Sequence, residues 1–408
     1  MDHILSAPSV PLSGSISLPA SKSISNRLLI IRALSGDAFS IGRLSDSDDT
    51  HALQEALASG ASTIDVGHAG TTMRFLAAYF AAVGRDVLLT GSERMQQRPI
   101  GPLVEALNGL GARITYPVKE GFPPIRMGSS RLSGRKVEVT AAVSSQFISA
   151  LLLSAPAMPA GLEIVRLGKE VSSSYIEMTL GLMARFGVAV RKEGASMFVP
   201  PSRYRGFDCV VESDWSGASY WYALAALMPV HNLFLEGLTA DSLQGDARVA
   251  EWFRILGVDS VFTPEGVMLN RINRQAAGFE ADFVNQPDLI QTFVVTLCLR
   301  NIPFRISGAE TLRIKETDRI SALQREMRKL GFIVENPDPG LLVWEGSRVA
   351  PESAPAIETY HDHRMALAFA PASIAFPHLT IRDAGVVSKS YPLFWEHLRA
   401  ARFEVRKA

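Results

Sequence analysis

Short alternating runs along this chain give way again and again to apolar runs, with a polar knot between them. The first instance is Ser15-Ile16-Ser17-Leu18, whose alternation predicts a strand. A knot of small polar and basic residues, Pro19-Ala20-Ser21-Lys22-Ser23-Ile24-Ser25-Asn26-Arg27, follows it. The apolar residues 28–34 then predict a helix. The pattern recurs as IDVGHAGTTMRFLAAYF from Ile64, VEVTAAVSSQFISALLL from Val137 and VVESDWSGASYWYALAAL from Val210. ADFVNQPDLIQTFVVTLCL from Ala281 and IETYHDHRMALAFAPASI from Ile357 complete the set. A helix that is apolar on every side must be buried. Amphipathic helices are predicted after these runs, starting near Asp48, Arg98, Ser174, Asp246, Lys315 and Tyr391.

Six such units predict two domains of three. One buried helix per unit places helices inside and sheets outside, an inside-out α/β barrel. A dinucleotide fold is disfavoured, because neither G-x-G-x-x-G nor G-x-x-x-x-G-K-[ST] occurs in the chain. The domain change is placed near Asp214. The expected domains are residues 20–213, and residues 1–19 with 214–408, with the active site in the cleft between them.

Composition narrows the function. A chain of 408 residues, 47% hydrophobic and 20% charged, has ample core for more than one domain. Lys and Arg number 41 and Asp and Glu number 41, so no net field recruits nucleic acid or an anionic membrane. Cys209 and Cys298 are too few for a disulfide framework. The amino terminus has no signal-peptide pattern, and no apolar stretch reaches the ~18 residues of a membrane span. A cytoplasmic, monomeric protein acting on small molecules, with no nucleic-acid or membrane partner, is expected.

The knots sit at predicted helix starts, where unpaired N–H groups and the macrodipole favour anions. They carry eight cations: Lys22, Arg27, Arg74, Arg98, Lys315, Arg319, Arg364 and Lys389. Gly67 and Gly70 let a ligand approach the backbone, and Ser144-Ser145-Gln146 supplies three adjacent donors. Singly, each knot has a plainer reading. Asp288 is suited to an N-cap, and residues 315–319 to a solvated first turn with an i,i+4 pair. His361 and His363 are poor metal candidates, since zinc takes about four ligands and no Cys pair accompanies them. Together, the cations predict a concentrated positive field that a polyanionic ligand would offset.

At these residues the chain resembles the 5-enolpyruvylshikimate-3-phosphate synthase family. The matching runs are SKSISNR, AGTTMRFL, RMQQRPI, VSSQFISALL, SYIEMTL, SLQGD, KETDRI, YHDHRMA and VVSKSYP, spanning residues 18–389. The resemblance implies two domains, each of three βαβαββ-type repeats. It implies enolpyruvyl transfer from phosphoenolpyruvate to the 5-hydroxyl of shikimate 3-phosphate, with release of phosphate and no metal or organic cofactor. It places Lys22, Ser23, Arg27, Ser144, Ser145, Gln146, Ser172, Tyr175, Asp288 and Lys315 on shikimate 3-phosphate. Lys22, Gly70, Arg98, Gln146, Arg319, Arg364 and Lys389 fall on phosphoenolpyruvate, with Arg74 and His363 in support. Asp288 matches the general base and Glu316 the proton donor, with Lys22 beside them in the catalytic set. The chain departs from the family pattern at His68, where Asn is usual, and at Thr311, where an Asn often contacts the phosphate. Ser173-Ser174 also replaces a basic-Pro pair.

Two other readings compete. Enolpyruvyl transfer to a UDP-sugar usually brings a Cys near the second unit, and neither Cys209 nor Cys298 stands near Arg98. A non-catalytic binder of phosphorylated metabolites has no use for Asp288, Lys315 and Glu316 together.

Overall fold

The computed structural model describes residues 1–140, 144–168 and 171–408. The third knot's Ala141, Ala142 and Val143 lie outside the described residues. The chain forms two compact units, one of Ser21–Val211 and one of Met1–Ala20 with Glu212–Ala408.

The unit Ser21–Val211 contains helices α1 (Lys22–Ser35), α2 (Asp48–Ala58), α3 (Gly70–Val83), α4 (Gly101–Gly109), α5 (Ser145–Ser154) and α6 (Ser173–Arg185). Helices α1, α3 and α5 pack on one another. All of α5 is buried except Gln146 in its first turn. In one sheet Thr63–Asp65 runs parallel to Val87–Thr90, and Ile125–Gly128 and Arg113–Thr115 continue it antiparallel. A second sheet repeats that order with Lys136–Thr140, Leu162–Leu167, Ser196–Val199 and Arg191–Glu193. Lys136–Thr140 buries Val137 and Val139 and exposes the residues between, so one sheet face meets the helices and the other meets water. The third sheet is only the parallel pair Ile41–Gly42 and Cys209–Val210. It is short because the strand preceding α1, Leu12–Ser17, pairs within the other unit.

The unit Met1–Ala20 with Glu212–Ala408 contains α7 (Trp215–Leu227), α8 (Val249–Ile255), α9 (Ile290–Leu299), α10 (Arg319–Lys329), α11 (His363–Phe369) and α12 (Phe394–Ala400). Helix α9 packs against both α7 and α11. Leu12–Ser17 runs parallel to Val230–Glu236, which continues antiparallel into Gly266–Arg271 and Val258–Thr263. Phe279–Asp282 runs parallel to Phe304–Ser307, followed by antiparallel Leu342–Trp344. Ala356–Ile357 runs parallel to Leu379–Ile381, followed by His3–Ser6 and Glu404–Lys407. A parallel pair extended by antiparallel strands is therefore the common motif of the larger sheets.

Several helices begin later than the apolar pattern predicts. The run from Lys315 becomes α-helical only at Arg319, because Asp318 takes the N-cap and accepts the Ser321 N–H. The run from Asp246 opens as a 3-10 turn, Gly245–Arg248, before α8. Helix α12 starts beyond Pro392, whose ring disfavours helical backbone at Tyr391.

Phe293 of α9 lies at the centre of an aromatic cluster, with ring centroids 5.5, 4.7, 5.4 and 5.1 Å from Trp252, Phe253, Phe279 and Phe283. Truncating it to Ala removes contacts on every side. Phe293→Ala is expected to lower stability by about 3–5 kcal/mol, measured as a shift of the urea midpoint; a shift near zero would show that this cluster does not hold the unit together.

Candidate active site

The polar groups of the Ser21–Val211 unit gather at helix starts. Ser21 caps α1 by accepting the Ile24 N–H, which leaves Lys22 and Ser23 in the first turn. Lys22 Nζ lies 3.7 Å from the Asp49 carboxylate at the start of α2. Arg27 is buried, yet the partners of its guanidinium are neutral. It donates to Thr179 Oγ1 at 2.8 Å, the Ser23 carbonyl at 2.8 Å, the Tyr175 carbonyl at 3.1 Å and Ser149 Oγ at 3.3 Å. Burial pushes it down to about 10, so Arg27 stays charged at neutral pH. One side chain thus ties the first turns of α1 and α6 to α5.

Ser144 caps α5 by accepting the Gln146 N–H, and the Gln146 side chain donates to Thr71 Oγ1 of α3 at 3.1 Å. Ser172 precedes α6 with φ +55°, a left-handed conformation that is costly for a residue with a Cβ. Its hydroxyl makes no cap bond to the helix. Arg74 donates to the Gly70 carbonyl at 3.3 Å and the Pro99 carbonyl at 2.8 Å, so it fixes the segment carrying Arg98. The Arg98 guanidinium lies directly against Gly70, where a Cβ would fall 2.4 Å from Nη1. A side chain at this position would push the guanidinium aside. Arg98 Nε is buried without a hydrogen-bond partner.

In the other unit the starts of α9, α10 and α11 converge on one ion-pair network. Arg319 has 1% exposure and is held by three carboxylates. Its Nε donates to Asp362 at 2.7 Å, Nη2 to Glu316 at 2.8 Å and Nη1 to Asp288 at 3.2 Å. Arg364 Nη2 donates to the same Asp288 at 2.6 Å, and its Nη1 donates to the Tyr220 hydroxyl at 3.3 Å. Asp362 also caps α11 by accepting the Arg364 N–H. His363 opens α11 and is buried beside Asp362. Lys389 Nζ donates to the His361 carbonyl at 2.6 Å. That carbonyl follows two left-handed residues, Tyr360 and His361.

The electrostatics follow from this packing. Burial works to raise the Asp288 carboxyl, but Arg364, Lys315 and Arg319 outweigh it and hold it far below the usual carboxylate range. Burial works to lower Arg319, and Asp362, Glu316 and Asp288 overcome it. Asp288 is not the cap of α9, since Leu289 occupies that position. Nor are residues 315–319 a solvated turn, because Arg319 pairs with Glu316 at i,i+3 inside the unit. The structure adds Asp49, Ser149, Thr179 and Asp362, which the sequence reading gave no role. Asp362 stood inside the quoted run YHDHRMA; Ser149 and Thr179 stood inside VSSQFISALL and SYIEMTL. Among the described residues, no group of three or more His, Cys, Asp or Glu is arranged to hold a metal ion.

Fold and site together define a two-unit α/β protein whose helix starts carry paired carboxylates and cations suited to acidic, phosphorylated ligands. A family model described as EPSP synthase (3-phosphoshikimate 1-carboxyvinyltransferase) matches residues 54–398. The 3-phosphoshikimate 1-carboxyvinyltransferase of Bacteroides fragilis strain YCH46 is 49% identical over 407 residues, covering 100% of this chain and 99% of the relative. Its counterpart from Burkholderia cenocepacia strain J2315 is 36% identical over 433 residues, covering 98% and 99%. A solved EPSP synthase from Acinetobacter baumannii superposes with a TM-score of 0.78 at 20% identity, over 100% of both chains. The chain belongs to the EPSP synthase family.

Arg319 is bonded to three carboxylates at once, so Arg319→Met removes the cation that Asp288, Glu316 and Asp362 share. Breaking such a buried set typically costs about 3–5 kcal/mol. The expected result is a lowered urea midpoint of that size; an unchanged midpoint would mean that the three carboxylates find other partners.

Proposed function

We propose that this protein transfers the enolpyruvyl group of phosphoenolpyruvate to the 5-hydroxyl of shikimate 3-phosphate, releasing phosphate in the route to chorismate and the aromatic amino acids. The observation that carries the residue assignment is Asp288 bonded by both Arg319 and Arg364, with Glu316 joined to it through Arg319. Two carboxylates of different surroundings within one cationic set suit the division into base and acid.

In this reading Asp288 removes the proton of the 5-hydroxyl as its oxygen attacks C2 of phosphoenolpyruvate. Glu316 delivers a proton to C3, which gives a tetrahedral ketal. Elimination reverses the protonation at C3 and expels phosphate. Arg98, Arg319, Arg364 and Lys389 hold the phosphoenolpyruvate anion, with Gly70 and Gln146 beside it and Arg74 and His363 in support. Arginine suits the task because its planar fork grips a carboxylate through two bonds. Lys22, Ser23, Ser144, Ser145, Gln146, Ser172, Tyr175 and Lys315 hold shikimate 3-phosphate. Arg27 contributes charge and also fixes the Ser23 and Tyr175 backbone.

The resting network suggests an order of events. Asp288 occupies the forks of Arg319 and Arg364, as a substrate carboxylate would. An incoming carboxylate displaces it, and a displaced Asp288 recovers the proton affinity that a base needs. The protein works as a cytoplasmic monomer without nucleic-acid or membrane partners, consistent with its zero net charge. Among the described residues, no helix is long and apolar enough to cross a membrane.

Phosphate release with both substrates present, and none when either is omitted, is the direct test. Asp288→Asn keeps the shape but cannot accept the hydroxyl proton, and loss of a general base costs about 10²–10⁴ in rate. The expected outcome is lost turnover with shikimate 3-phosphate still bound in calorimetry; near-normal turnover would leave the base unassigned.

A further inference from the structure

The run SLQGD, Ser242 to Asp246, has no part in the assignments above. Asp246 is 6% exposed, and its carboxylate accepts a hydrogen bond from Ser216 Oγ in the first turn of α7. The loop that carries it is built onto the start of that helix. Gln244 Oε1 accepts the Trp215 N–H at 3.0 Å, and Gln244 Nε2 donates to the Ser213 carbonyl at 2.8 Å and to Glu212 at 2.9 Å. Glu212 also accepts from Thr239 and Ser242 at 2.6 and 2.7 Å. The bonds of Gln244 and Glu212 therefore fix the loop, and the Ser216 bond fixes the carboxylate.

Its neighbours are the reacting groups. Ser216 and Tyr220 are four residues apart on α7 and share one face. Tyr220 is bonded by Arg364, and Arg364 is bonded to Asp288. Asp246 thus faces the Arg364–Asp288 pair along α7. A buried carboxylate whose hydrogen-bond donor is a neutral serine must be balanced by charges further off. Burial and then Asp288 push its carboxyl up to about 7, with Asp214 adding to them, against the Ser216 bond and Arg364. Asp288 itself faces Arg364, Lys315, Arg319 and Glu316.

We propose that Asp246 is a further positioning residue for the transfer: a buried carboxylate, fixed by Ser216, that counterbalances Arg364 from the face of α7 and loosens its hold on Asp288 and on the substrate carboxylate. This rests on the reading of Arg364 as a phosphoenolpyruvate contact and of Asp288 as the base. Asp246 does not touch the reacting atoms; it acts through Arg364. An arginine left unbalanced binds the anion more tightly in the ground state and keeps Asp288 a weaker base, which lowers turnover.

The sign is specific. Above about pH 7 Asp246 is ionised and the balance operates; below it Asp246 is neutral and the wild-type protein behaves like Asp246→Asn. At about pH 8, Asp246→Asn is expected to show a KM for phosphoenolpyruvate lower by about 3- to 10-fold and a kcat lower by a similar factor. At about pH 6 the two proteins are expected to agree. Titration of the substrate phosphates is common to both and cancels. Ser216→Ala removes a bond that favours ionised Asp246, so it moves the wild-type inflection to higher pH. That variant decides the question if Asp246→Asn lacks a native melting transition.

A merely structural Asp246 lowers kcat equally at both pH values, leaves or raises KM, and leaves the Ser216→Ala inflection in place; that pattern overturns the proposal. The KM comparison reads Arg364 and does not depend on which group is the base. A lowered KM with unchanged kcat at about pH 8 retains the balance on Arg364 and removes Asp288 from the role of base.

Discussion

A helix that is apolar on every side can be sealed inside a protein only if the unpaired N–H groups of its first turn find partners. That constraint organises both units. Helix α5 is buried along its length except at Gln146, and α11 is buried throughout with Asp362 at its cap. The partners supplied at these ends are hydroxyls, carboxylates and close glycine backbone, the same groups that bind phosphates and carboxylates. In each unit the candidate groups stand where buried helices reach their polar ends.

The second organising fact is charge balance. Eight cations read from the sequence suggest a strong positive field, but most of them have local partners. Arg319 is surrounded by Asp288, Glu316 and Asp362, and Arg364 shares Asp288. Lys22 faces Asp49, and Arg74 is held by carbonyls. Arg27 likewise is buried among hydroxyls and carbonyls. A resting network of this kind is held together by its own carboxylates, and under the proposed function a substrate carboxylate enters by exchange rather than by filling an empty field. Exchange keeps buried guanidinium groups paired throughout, which avoids the cost of an isolated buried charge.

Much of this was legible in one dimension. The alternation at residues 15–18 predicts a strand and the apolar run 28–34 a helix; the strand is present as Leu12–Ser17, and the helix, α1, already begins at Lys22 inside the polar knot. The knots predict polar helix starts, and Ser144 and Asp362 are N-caps. Helix starts were less legible: a 3-10 turn, which places apolar residues almost as an α-helical turn does, precedes α8. Local capping set the start at Asp318, and the proline ring set it at Pro392.

Taken by itself, the sequence determined that helices buried along most of their length recur and that polar groups collect near their starts, because those properties depend on spacing of a few residues along the chain. Only the tertiary structure decided which of those groups meet. Asp288, Arg319, Asp362 and Arg364 are separated by up to 76 residues, and hydrogen bonds between their side chains come from three different helix starts. It also decided that the Arg98 guanidinium lies against Gly70, and that Asp246 reaches α7 through Ser216. Periodicity records the environment of one element, whereas an ion pair needs two elements placed to within an ångström, and that placement is made by packing.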